Sequence, residues 1–279
     1  IGIAIGIIPA AIAVVTDPAG WWTSHKLVEA ILLGLFMVPM MPGIAACGTA
    51  LDGPVWTLVP ELIANAAYAA AIRFLTPLVL FLILVVCGAG VAFAEFHYGT
   101  LDVGYNPTDQ WAALARVGYS FFAGVVVFRL VGEKEQKSEL ASWACMLVLG
   151  AVLLLQPSDE MTPWFELGVV LVGFPALLAA AARFEPGAAS GRVFSLAGLL
   201  SYGVYLLHQP LGHIVAAAFR NRIEVPGDWR GLGFGAGFIL LVFAFAWWLD
   251  GHYDAPVRKA LRARFMEPRK KPVEALARG

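Results

Sequence analysis

Two polar clusters, each set in an otherwise apolar stretch, hold the residues of this sequence that could do chemistry. The first is Val55-Trp56-Thr57-Leu58-Val59-Pro60-Glu61-Leu62-Ile63-Ala64-Asn65-Ala66-Ala67-Tyr68. Thr57, Glu61, Asn65 and Tyr68 fall at i, i+4, i+8 and i+11, a spacing that lines one face of a helix. A carboxylate one to two turns inside a membrane-crossing helix is costly unless it is paired or protonated. Glu61 at the headgroup level, with Trp56 as an interface anchor, is one reading. A face of a substrate cavity is the other, and the shared polar stripe favours it.

The second cluster is Ser201-Tyr202-Gly203-Val204-Tyr205-Leu206-Leu207-His208-Gln209-Pro210. Ser201, Tyr205, His208 and Gly212 share a helical face, and Pro210 should bend the helix by releasing a backbone carbonyl. A lone histidine in a helix is often a hydrogen-bonded packing residue. One accompanied by two tyrosines, a glutamine and a proline, in a long uncharged run, points to function. His, Tyr and Glu are the side chains that move protons and donate hydrogen bonds to a reacting oxygen. Arg116 and Glu166 each lie near the predicted outer end of an apolar run, where snorkelling explains them as well as a site does. His25 and His213 read as interfacial or packing residues.

The elements that must position these groups are membrane helices. Of the 279 residues 59% are hydrophobic and 14% charged, with a mean hydropathy of +0.75; a soluble chain carries roughly 25% charged residues. The stretches 74–94, 140–158, 193–219 and 231–249 contain no Asp, Glu, Lys or Arg. Each is close to or above the roughly 18–20 residues that span the hydrocarbon. Backbone groups in lipid must be paired internally, so these runs are helices. Nine apolar segments are expected, at about 1–15, 28–44, 55–72, 74–94, 112–132, 140–157, 163–182, 193–219 and 231–249. Turn signals such as Asp17-Pro18-Ala19-Gly20, Asp52-Gly53-Pro54 and Asn106-Pro107-Thr108-Asp109 separate them. Glycines 231, 233, 235 and 237 give small-residue spacings suited to close helix packing. The fold class is all-α: one polytopic helical bundle over residues 1–250, then a basic cytoplasmic tail over 251–279.

Eight of the 19 Lys and Arg residues follow the last apolar run, as expected of a cytoplasmic tail that meets anionic lipid. A nucleic-acid partner is not expected. Working back from that tail, the loop at 95–110 falls outside and Arg73 inside. Cys47, Cys87 and Cys145 are scattered and form neither a metal spacing nor a disulfide framework.

Trp56-Thr57-Leu58-x-x-Glu61 followed by Tyr68 resembles the Trp-Ser-Leu-x-x-Glu motif of the acyltransferase family 3 membrane proteins, with Thr57 in place of the serine. Gly198 and the run Ser201-Tyr202 to Tyr205-Leu206, His208 and Pro210 resemble that family's late Gly-x-x-Ser-Tyr-x-x-Tyr-Leu-x-His-x-Pro signature. Arg116 to Gly124 and Tyr253 to Arg258 are weaker echoes. The likeness runs over essentially the whole chain.

The resemblance implies transfer of an acyl group, commonly acetyl, to a hydroxyl of a carbohydrate or lipid-linked glycan. Acyl-CoA is the implied donor, and no bound cofactor or metal is expected. On this footing His208, Glu61 and Tyr205 are the candidate catalytic residues. Trp56, Thr57, Asn65, Tyr68, Ser201, Tyr202 and Arg116 are the candidate substrate-binding ones. The family's Arg and His on its first span, and its Arg-rich motif after the second, have no counterpart here. By analogy two spans would precede Ile1, and the fragment alone could be inactive. A secondary transporter is the alternative from another class, although the paired broken helices such folds use are not evident.

The family's topology also implies that segment 28–44, with Glu29, Pro39 and Pro42, is broken or re-entrant, leaving about eight full spans. Cysteines placed at 24 and 46 should then be labelled from the same side of the membrane; labelling from opposite sides would reject the idea.

Overall fold

The computed structural model describes residues 2–17, 20–38, 51–131, 136–219 and 229–266. Pro18, Ala19, Pro39, Pro42, Cys47, Lys134, the stretch 220–228 and the tail after Met266 lie outside the described residues. The chain divides into two units, Ile1–Leu196 and Ala197–Gly279, which are taken in turn.

In the first unit, α1 (Gly2–Thr16) packs against α2 (Ser24–Leu35) through Ala10, Ala30 and Leu51. Thr23 starts α2 by accepting the Lys26 N–H at 3.3 Å. Two bonds end it: Val38 N–H to Leu33 O at 2.9 Å and Met37 N–H to Gly34 O at 3.0 Å. This pair is the Schellman arrangement, with Met37 at φ 52° in the left-handed position that glycine usually takes. Twelve residues rise about 18 Å, well short of the roughly 30 Å hydrocarbon layer. The helix stops at Leu35, inside segment 28–44, whose residues 39–44 lie outside the described ones.

A 3₁₀ turn (Gly53–Thr57) leads into α3 (Leu58–Ala71), which buries Pro60 and Ala64. The next helix, α4 (Pro77–Tyr98), opens with Thr76 accepting the Val79 N–H and with Pro77 in the first turn. It closes at Gly99, φ 73°, whose N–H bonds Glu95 O at 2.7 Å. The helix thus runs past the uncharged stretch and carries Glu95 and His97 within it. Its main partner is α5 (Gln110–Val131), and small residues set their approach. A Cβ on Gly90 would lie 2.9 Å from Ala115 Cβ, and one on Gly118 would lie 2.9 Å from Cys87 Sγ. Close packing was expected instead at the glycines of the last span. There Gly233, Gly235 and Gly237 have nothing within 4 Å of a built Cβ.

Next come α6 (Glu139–Leu154), α7 (Thr162–Gly168), a π-helical turn (Val169–Gly173) and α8 (Phe174–Ala181). The π turn displaces the regular hydrogen-bond ladder, and Tyr119 Oη donates to Leu171 O within it at 2.6 Å. A feature absent from the all-α expectation joins the loops before α6 and α9: β1 (Gln136–Lys137) pairs in parallel with β2 (Phe184–Glu185). Two residues a side suffice to tie those loops together without altering the helical class.

The helix α9 (Ala188–Phe219) begins in the first unit and forms, from Ala197 onward, the first element of the second. It is followed by α10 (Trp229–Leu249), a π turn (Asp250–Asp254) and the basic α11 (Ala255–Phe265). Arg258 pairs with Asp250 at 2.7 Å and with Asp254 at 2.9 Å across the turn. Gly203 lets α9 approach α10, since a Cβ there would sit 3.2 Å from Ala246 Cβ.

Four helical stretches are long and apolar enough to cross a membrane: Pro77–Tyr98, Gln110–Val131, Thr162–Ala181 and Trp229–Phe265. Helices Gly2–Thr16 and Glu139–Leu154 are apolar but shorter. Large apolar side chains such as Leu78, Phe81, Val86, Leu240 and Trp247 face outward, which lipid tolerates and water does not. The chain is an integral membrane protein. By length and composition these four stretches are spans, and of the eight expected the others differ in instructive ways. At 32 residues, α9 has the length and only one charged residue; its run of Ser, Tyr, His, Gln and Pro lowers its hydropathy. The 14 residues of α3 are interrupted by Glu61 and Asn65.

Candidate functional site

In the first unit the loop between α4 and α5 is built around two residues. Asp109, buried just before α5, accepts the N–H groups of Gly104 (3.1 Å) and Asn106 (2.9 Å) on Oδ1 and the Asn106 amide (3.2 Å) on Oδ2. Gly104 has φ 117°, and a Cβ there would fall 2.5 Å from Ala113 Cβ, so the loop lies tight on α5. Leu101 is the second anchor, buried with Val91 and Leu167. Its N–H donates to Glu166 Oε2 at 3.2 Å, and its carbonyl accepts from Arg116 Nη1.

This loop and Arg116 frame Trp56. The Arg116 guanidinium lies over the indole ring at 5.7 Å, and Tyr105 meets the ring edge-on at 6.3 Å. Tyr98, Trp111 and Trp164 gather nearby in ring contacts with one another or with Phe93 and Phe96. Aromatic residues at one end of a bundle are the mark of a membrane–water interface. Trp56 thus lies at this aromatic end of the first unit, its ring flanked by Arg116 and Tyr105.

The predicted polar stripe of α3 is divided by the structure. Thr57 Oγ1 donates to Pro54 O at 3.0 Å. Glu61 and Asn65 are exposed, with the Asn65 amide donating to Glu61 O at 2.9 Å. Tyr68 turns into the core against Phe121, ring centroids 5.8 Å apart. The helix is rotated so that Pro60 and Ala64 are buried, which leaves Glu61 and Asn65 on the face beside the packed one.

In the second unit, Ser201, Tyr202, Tyr205 and His208 are all exposed on α9, while Leu207 and Pro210 are buried. The face expected to carry Ser201, Tyr205 and His208 is thus the accessible one. Ser201 Oγ donates to Gly198 O at 2.9 Å. His208 Nδ1 lies 2.7 Å from Tyr205 O and 3.3 Å from Val204 O. A backbone carbonyl accepts only, so Nδ1 is the donor in these contacts. The Tyr205 and His208 rings are 6.0 Å apart.

One residue that sequence reasoning passed over is Glu95. It is 0% exposed on α4, and neither carboxyl oxygen has a hydrogen-bond partner among the described residues. It interacts with the Glu166 carboxyl. The available signal was its position directly after the uncharged run 74–94, where an acidic residue should be noticed. Glu166 and Arg116, left between snorkelling and a site, both turn inward onto Leu101. Among the described residues no group of three or more His, Cys, Asp or Glu is arranged to hold a metal ion.

A family model described as an acyltransferase domain matches residues 3–251. No curated protein and no solved structure matches the chain.

Proposed function

The chain belongs to acyltransferase family 3 and is an acyltransferase, and from that premise we propose that it moves an acyl group, acetyl first among them, from acyl-CoA to a hydroxyl of a carbohydrate or lipid-linked glycan. Support for a sugar acceptor comes from the Trp56 platform. An indole flanked by an arginine and a tyrosine, at the interface level, offers a flat apolar face for a sugar ring with hydrogen-bond donors at its rim.

Chemically, the acceptor oxygen attacks the thioester carbonyl; the C–O bond forms as the C–S bond breaks. The hydroxyl proton passes to a base and ends on the departing thiolate, while donors hold the developing oxyanion. On α9 of the second unit, His208 and Tyr205 position the acceptor or the thioester, with Ser201 and Tyr202 as further contacts. In the first unit Glu61 orients a catalytic group or binds a sugar hydroxyl, with Thr57 and Asn65 as further contacts. The protein sits in a bacterial inner membrane with its basic tail in the cytoplasm, and loop 99–109 faces outward with the acceptor.

The test is acyl transfer by the intact protein bearing His208→Ala or Glu61→Ala, at matched expression. Loss of an acid–base or orienting group costs on the order of 10²-fold in rate. Wild-type rates in both variants would remove these residues from the site.

A further inference from the structure

Leu101 offers both halves of its backbone to charged side chains from two different helices. Glu166, on α7, takes the N–H at 3.2 Å, and Arg116, on α5, donates to the carbonyl. The guanidinium that bonds the Leu101 carbonyl is the one that lies 5.7 Å over the Trp56 ring. Leu101 itself is buried against Val91 and Leu167. The three groups therefore form one mechanical chain from α7 through the loop to the Trp56 platform.

Glu166 has no necessity as a membrane residue. A half-buried carboxyl on a membrane helix is costly to place there. Such groups persist in membrane helices where they do a job. A buried backbone N–H also requires an acceptor, and the Glu166 side chain supplies it from a neighbouring helix, tying α7 to the loop at Leu101. The N–H and the carbonyl of Leu101 belong to successive peptide groups joined at its Cα, so the hold on the N–H, together with the buried Leu101 side chain, sets where the carbonyl meets Arg116.

We propose that Glu166 is a positioning residue for substrate binding: by holding Leu101 through its N–H it keeps the next peptide's carbonyl in place for Arg116, and so the guanidinium over Trp56. The proposal rests on the reading that Arg116 and Trp56 bind the acceptor. Glu166 touches neither substrate nor reacting atoms, so its effect belongs in acceptor affinity and passes wholly through Arg116.

A double-mutant cycle on the intact enzyme tests this, with acceptor KM and kcat measured for each variant. Glu166→Leu should raise the acceptor KM about five- to tenfold, the worth of one lost buried hydrogen bond, with kcat changed less than about twofold. Glu166→Gln keeps a carbonyl acceptor for the Leu101 N–H and should recover most of that loss. In an Arg116→Leu background, Glu166→Leu should add little, because its route to the substrate is already gone. Multiplied effects in the double variant, or a Gln variant as poor as the Leu variant, overturn the proposal alone. So does a normal KM in Glu166→Leu beside an impaired Arg116→Leu. A normal KM in Arg116→Leu itself overturns the reading of the platform, and the proposal with it. Should Glu166→Leu fail to accumulate, the Gln variant in both backgrounds decides: it should stay within about twofold of its parent in each, and a larger loss overturns the proposal.

Discussion

At the scale of single residues, Asp109 and His208 show how one hydrogen bond sets what a side chain can do. Asp109 spends both oxygens on Gly104 and Asn106, and so shapes the loop that brings Tyr105 to Trp56. Asp109→Ala strips two backbone N–H groups and one amide of their acceptor. About 1–3 kcal/mol of stability should go with it, seen as a lowered melting temperature in detergent together with a raised acceptor KM. An unchanged melting temperature would mean that the loop is held by other means. His208 is the opposite case, where a backbone carbonyl commits Nδ1 as a donor. The sequence showed that His208 and Tyr205 share a face, because helical spacing alone decides it. It could not show which ring nitrogen donates, which depends on a carbonyl three residues back. Nor could it show that Tyr68 leaves the polar stripe for Phe121, since the rotation of α3 is set by tertiary packing.

At the scale of elements, the boundaries read from charge and turn signals agree closely with most of the helices. Segment 74–94 departs from this: the helix is Pro77–Tyr98, bounded by Thr76-Pro77 and Gly99, which were not read as signals, and it runs on past Glu95. Segment 28–44, with Pro39 and Pro42, was expected to be broken or re-entrant; within it α2 ends at the Schellman turn on Met37. Proline commonly follows such a cap because it cannot continue the helix. What remained hidden was the tie between α6 and α9. Glu139, the first residue of α6 and outside the apolar run that follows, accepts from Ser190 Oγ and the Gly187 N–H, and Trp143 Nε1 donates to the same serine at 3.0 Å. The Ser190 hydroxyl, then the Gly187 amide, hold its carboxyl below the ordinary 4.5. A depressed folded-state value means that the tie is in force above that ordinary value and is lost as pH falls through the lower one. Wild type should therefore be more heat-stable than Glu139→Gln at neutral pH, and the difference should shrink below about pH 4.5. A difference that persists unchanged at lower pH would show that the carboxylate charge is not what holds the tie.

At the scale of the whole molecule, membrane residence was legible from composition and the family from two short motifs, and the match over residues 3–251 agrees with both. The count of spans was less legible, for a physical reason. The helices that depart from the apolar ideal, α3 and α9, are those that carry the polar clusters. A chain that does chemistry at membrane depth must place Glu, His and Tyr where lipid-facing helices have Leu, and a hydropathy rule reads those helices as the weakest spans. The most direct measurement is the fate of a labelled acetyl group. The purified intact protein, in lipid, is given labelled acetyl-CoA and a hydroxyl-bearing glycolipid. The account predicts label in a base-labile ester of the acceptor, matched one for one by released CoA thiol. Label appearing only as free acetate, or a solute accumulating in sealed vesicles with no ester formed, would contradict it.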